Sequence, residues 1–189
     1  AAYDTAIAAK LGQGKSGEAL FFELALDDLT RAADLFHPIY ERTNGMDGWV
    51  SLEVSPRLAN DTAGTIAAAR DLFSRADSPN LMIKIPGTAE GLPAIEEAIC
   101  AGIPINVTLL FSTERYLPAA QADMRGLERR IQAGLDPAVP SVASVFVSRW
   151  DVAVADQVPQ ELRSRLGIAV AKRVQSGQPL HKLNERVSE

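Results

Sequence analysis

The sequence is poor in the residues that staple or metallate a fold. It holds one cysteine, Cys100, and two histidines, His37 and His181. Neither an intrachain disulfide nor a Cys/His zinc cluster can be built from so few, and no metal is expected. A basic run is also lacking: 19 Lys and Arg stand against 24 Asp and Glu, for a formal charge of −5. That balance argues against a nucleic-acid partner and against an anionic membrane surface. No apolar stretch approaches the ~20 residues of a membrane helix. The opening AAYDTAIAAKLGQGKSGEAL has no basic start followed by an apolar run, as a secretion signal would. These absences predict a reducing, cytoplasmic setting, in which the glycosylation-type triplets at Asn60 and Asn106 carry no meaning.

What is present suits a globular enzyme-sized domain. Of 189 residues, 47% are apolar, and a chain this long can bury roughly 70% of its unfolded surface without staples. Residues 18–43 read as a helix, with Phe21, Leu24, Leu29, Ala32, Phe36 and Ile39 at helical spacing. Pro38 is expected to bend or end it before the turn at Thr43-Asn44-Gly45. Short apolar strands then alternate with helices: strands over 49–55, 81–86, 103–109 and 141–147, and helices over 61–75, 91–100, from Ser112 or Thr113 towards Gly134, 151–158 and 159–174. Pro159 suits the first turn of the last of these. Strand–helix alternation predicts a parallel α/β sheet, doubly wound or barrel-like, over residues 1–174. The polar stretch 175–189 reads as a separate, mobile tail.

Side chains alternate across a strand, so each strand divides into two faces. Val50, Leu52 and Val54 oppose Ser51, Glu53 and Ser55; Ile83 and Ile85 oppose Met82 and Lys84. Val107 and Leu109 oppose Asn106 and Thr108, and Val145 and Val147 oppose Ser144 and Phe146. A parallel sheet is normally apolar on both faces. A polar group on the same side of all four strands therefore predicts a polar-lined cavity, as barrels offer at the carboxyl ends of their strands. The rival is an antiparallel sheet with a solvated face, which the intervening helices disfavour.

Lys84, flanked by Met82, Ile83, Ile85 and Pro86, would be desolvated, which favours the neutral amine that can attack a carbonyl and form a Schiff base. It could equally snorkel to the strand end or pair with Glu53. Glu53 could act as general acid/base through a water or simply compensate Lys84. Asn106 and Thr108 could position substrate or that water. Arg149 could clamp a phosphate or pair with Asp151 on the surface. Cys100 reads as core, Trp49 and Trp150 as packing at strand ends, and Glu90, Glu96 and Glu97 as a solvated helix face. His37 and His181 are assigned nothing.

The stretches GWVSLEVSP, NLMIKIPGT, INVTLLFS and SVASVFVSRWD each fall on an expected strand. Together they resemble the transaldolase family over about residues 1–173, nearest to the transaldolase part of bacterial fused transaldolase/glucose-6-phosphate isomerase proteins. The resemblance implies an α/β chain of (β/α)8 TIM-barrel type, incomplete here, with about four parallel strands present. Barrel strands on both sides, one carrying an aspartate acid/base, would fall outside the chain. It implies transfer of a dihydroxyacetone unit from sedoheptulose 7-phosphate to glyceraldehyde 3-phosphate in the pentose phosphate pathway. Lys84 would be the Schiff-base lysine, with Glu53 and Thr108 around the catalytic water. Asn106, Ser144 and Arg149 would bind substrate, Arg149 at the phosphate. No cofactor is implied, because the iminium itself takes up the electrons of the cleaved bond. Sugar phosphates are the expected partners, with a homo-oligomer or a fused isomerase domain as further candidates. Two alternatives stay open: a fructose-6-phosphate aldolase-like lyase, in which glutamine tends to replace Glu53, and a non-catalytic half-barrel that binds a sugar phosphate or a partner chain.

Overall fold

A helix that must lie against a sheet needs one apolar stripe, and the first long helix has a narrow one. In the computed structural model, which describes residues 2–153, α2 (Gly17–Arg42) buries only Leu26 and Ala33 fully. The short α1 (Asp4–Gly12) buries nothing and is held to α2 by charge. The Lys10 ammonium lies 3.0 Å from Asp27 and 3.3 Å from Glu23, and the Tyr3 hydroxyl donates to Asp28 at 2.5 Å. Pro38 does not end α2, which runs on to Arg42. Proline removes one ladder bond, and the last turn is closed beyond it: the Thr43 N–H and hydroxyl both donate to the Ile39 carbonyl, at 3.0 and 2.9 Å.

Four strands follow, β1 (Val50–Glu53), β2 (Leu81–Pro86), β3 (Ile105–Thr108) and β4 (Ser141–Ala143), all parallel and in sequence order. Crossovers α3 (Thr62–Ala76), α4 (Gly91–Cys100) and α5 (Thr113–Gln132) join them. Sequential parallel strands with a helix between each pair form the repeating unit of a (β/α) barrel, present here in part. Asp61 caps α3 by accepting from the Gly64 N–H at 2.9 Å.

The aliphatic faces of the strands pack under the helices, as their alternation predicts. Leu81, Ile83, Ile85 and Ile105 are fully buried, together with Leu72 of α3, Ile95 and Ile99 of α4, and Ala119 and Ala122 of α5. The approach of α4 to α5 is set by Gly126. A Cβ there would stand 2.7 Å from the Ile99 Cβ and 2.8 Å from the Glu96 carbonyl. Buried Asn80 donates from its amide to the Ala33 and Gly48 carbonyls at 2.9 and 2.8 Å, tying α2 and the turn before β1 to the start of β2.

Two expectations are corrected. The fourth strand stops at Ala143, and Val147 already begins α6 (Val147–Ala153). β4 is the edge of the described sheet, exposed along its length, and its ladder to β3 closes with the Ser144 N–H on the Val107 carbonyl at 2.8 Å. Val145 and Phe146 therefore turn away from strand geometry. Nor are Glu96 and Glu97 a solvated face. Arg125 and Arg129 of α5 bind Glu96 at 2.7 and 3.1 Å, and Arg129 binds Glu97 at 2.5 Å. The two helices pack with those sides together. The helix expected over 159–174, most of that over 151–158, His181 and the tail at 175–189 lie outside the described residues.

These contacts generate two predictions. Asn80→Ala removes two buried hydrogen bonds, including the side-chain donor to the Gly48 carbonyl, and should cost about 1–3 kcal/mol, read as a lower urea midpoint at unchanged m-value. Arg125, and after it Arg129, hold the Glu96 carboxyl below its ordinary value. Its contribution is therefore complete above about pH 5 and is lost as the pH falls through and below the ordinary value of about 4.3. Glu96→Gln should flatten the acid limb of stability against pH and change little at neutral pH beyond a constant offset.

Candidate active site

Parallel register places the polar residues side by side. Glu53 pairs with Lys84, and Lys84 with Asn106, so three adjacent strands set these side chains at one level on the face opposite the helices. Ser51 and Met82 form the rung below, and Thr108 lies opposite Pro86 on the rung above. Lys84 is the one residue of β2 that is not fully buried.

The Lys84 ammonium binds the Glu53 carboxylate at 3.0 Å. Its side chain is 18% exposed and that of Glu53 45%, so the pair stands at the rim of the sheet, with the lysine stem covered and the carboxylate wet. The same ammonium lies 5.2 Å from the centre of the Phe146 ring, within cation–π range. Both readings of Lys84 thus meet in one geometry: it is largely withdrawn from water, and it is ion-paired.

A second set of bonds runs alongside. The Ser144 hydroxyl donates to the Asn106 carbonyl oxygen at 2.6 Å, and the Asn106 amide donates to the Ser51 hydroxyl at 3.1 Å. Thr108 is buried, and its hydroxyl makes no hydrogen bond with any described residue. Buried hydroxyls are nearly always satisfied; this one has no partner among the described residues.

Of the six residues singled out from the sequence, Lys84, Glu53, Asn106 and Ser144 come together and Thr108 lies on the next rung. Arg149 does not join them. It sits exposed on α6 and bonds to none of the cluster. Two clefts, of about 330 Å³ between α2 and α3 and about 220 Å³ between α5 and β4, hold none of these six side chains. Phe146 was missed as a site residue because strand alternation assigns it only a face. It reaches Lys84 through the turn after β4, which no periodicity reveals.

Comparison with known proteins shows the family of the chain. The family model described as transaldolase/fructose-6-phosphate aldolase matches residues 1–178. A protein named transaldolase from Thermobifida fusca is 51% identical over 154 residues, 81% of this chain and 42% of the relative. Another from Saccharopolyspora erythraea is 46% identical over 176 residues, 90% of this chain and 48% of the relative. Transaldolase 1 of Streptomyces avermitilis is 56% identical over 125 residues, 66% of this chain and 33% of the relative. The chain thus spans under half the length of these relatives. None of the three names carries an isomerase. No helix among the described residues is long and apolar enough to cross a membrane.

The unbonded Thr108 hydroxyl allows a test of what it is for. Thr108→Val keeps the shape and removes only a group that no described residue binds, so thermal or urea unfolding should shift by less than about 1 kcal/mol. A larger loss would show that the hydroxyl supports the fold.

Proposed function

The chain belongs to the transaldolase/fructose-6-phosphate aldolase family, and from that premise we propose that it carries the Schiff-base centre of a transaldolase. The observation that carries this reading is the Lys84–Glu53 contact at 3.0 Å on the polar face of the sheet, with Asn106 and Thr108 on neighbouring rungs. In this reading Lys84 passes a proton to Glu53 and attacks the keto carbon of a ketose phosphate, sedoheptulose 7-phosphate by resemblance. The carbinolamine takes a proton back and loses water to give the imine. Cleavage of the bond between the carbons α and β to the iminium releases an aldose phosphate; the β-hydroxyl proton passes to the acid/base aspartate that the resemblance places outside the chain, and the bond's electrons pass into the iminium as an enamine. The enamine then adds to glyceraldehyde 3-phosphate. Water held between Glu53 and the Thr108 hydroxyl finally hydrolyses the imine and restores the amine.

Asn106 and Ser144 are assigned to the substrate hydroxyls. Arg149 is assigned to a phosphate, a role that needs its exposed side chain to turn towards the cluster. A cytoplasmic setting in the pentose phosphate pathway and sugar phosphates as partners belong to the same proposal, as does a domain spanning 1–174. Glu53 is what favours group transfer over simple aldol cleavage, since glutamine tends to stand there in the lyase subgroup.

Borohydride reduction with fructose 6-phosphate, followed by peptide mass spectrometry, should place a reduced adduct on Lys84 and on no other lysine. Lys84→Ala should abolish it, and an adduct that survives that substitution would falsify the assignment. Glu53→Gln should slow adduct formation by roughly 10²-fold, the usual contribution of a positioned acid/base. Transfer to glyceraldehyde 3-phosphate should exceed release of free dihydroxyacetone; the reverse would make the chain a lyase.

A further inference from the structure

We infer that Ser51 is a positioning residue for the Lys84 centre, the anchor that holds the Asn106 amide across β2. The inference rests on the Schiff-base reading of that centre.

The argument begins with register. Asn106 of β3 stands level with Lys84, and Ser51 of β1 stands level with Met82, two residues earlier on β2. The 3.1 Å bond from the Asn106 amide to the Ser51 hydroxyl therefore spans the whole of β2. It crosses between the Met82 and Lys84 rungs, above buried Met82. Neighbouring strands lie about 4.8 Å apart, so the two side chains meet by leaning towards each other over β2. At its other end the same amide accepts from the Ser144 hydroxyl at 2.6 Å. Asn106 is thus held from β1 and from the end of β4 together. One Nδ2 hydrogen and one Oδ1 lone pair remain for a substrate.

The lysine is bounded by the same arrangement. Glu53 and Phe146 flank its ammonium, and the Asn106–Ser51 bridge closes the side nearer the start of the strand. Without Ser51 the amide would be held by Ser144 alone and could swing towards β4. That motion displaces a substrate-binding group and opens the side of the lysine it had covered. Ser51 itself is exposed, and its hydroxyl bonds a half-buried amide at the surface, so the fold depends on it little.

The test compares the unsubstituted chain with Ser51→Ala and Ser51→Thr, reading the rate of borohydride-trapped adduct on Lys84 against fructose 6-phosphate concentration, with thermal midpoints alongside. Ser51→Ala should unfold at an unchanged midpoint and lower the maximal trapping rate about tenfold, as a misplaced positioning group does. The half-saturating sugar concentration should change less than the rate. Ser51→Thr, which keeps the hydroxyl on a β-favouring residue, should restore the rate to within about twofold. Trapping by Ser51→Ala at the unsubstituted rate overturns the inference, and so does Ser51→Thr trapping as slowly as Ser51→Ala. Failure of the unsubstituted chain itself to form an adduct overturns the Schiff-base reading and this inference with it, an outcome distinct from a defect confined to the variants.

Discussion

The site depends on one constraint, the in-register parallel pairing of β1, β2 and β3. Parallel strands hold residues of one pleat level at one height, and Glu53, Lys84 and Asn106 occupy the same level. A slip of one residue in β2 would turn Lys84 into the aliphatic layer under the helices and bring Ile83 or Ile85 to the polar face. The register that buries Ile83 and Ile85 completely is therefore the register that delivers the amine to its carboxylate. Core packing and site assembly are the same selection, made on opposite faces of one strand.

The helix layer keeps that strand from moving. β2 is the best buried of the four and is fixed at both ends. At its start, Asn80 ties it to α2 and to the turn before β1. At its end, the Gly87 N–H donates to the Thr108 carbonyl at 2.7 Å, and Thr88 bonds the Ala59 carbonyl at 2.6 Å. Behind it, α4 and α5 close onto each other through Gly126 and the Glu96–Arg125–Arg129 cluster. Ion pairs at a helix surface contribute modestly; here they fix how two helices that already share an apolar seam are rotated against each other. A lysine on a scaffold of this kind keeps its position relative to Glu53.

Much of this was legible in the residues. Strand–helix alternation, the aliphatic and polar faces, and the standing of Glu53, Lys84, Asn106 and Thr108 all follow from a period of two read along four short segments. The misreadings occur where period carries no information. Pro38 lies in a helix whose last turn is closed by other bonds. The glutamates of α4 look solvated until α5 is laid beside them. Residues 145–147 alternate like a strand, yet β4 has no further partner in the described sheet and the chain turns into α6, which brings Phe146 over the lysine.

The sequence by itself determined which residues share a face, because alternation is a property of the strand backbone and needs no partner. It therefore determined that an amine, a carboxylate, an amide and several hydroxyls would point the same way. Only the tertiary structure decided which of them touch. The Lys84–Glu53 contact follows from strand register, the Ser51–Asn106 bridge from side chains that meet over β2, and the reach of Phe146 from the turn after β4. Register, cross-strand contact and the packing of the turn against β2 arise between elements distant in the chain, and no local pattern encodes them.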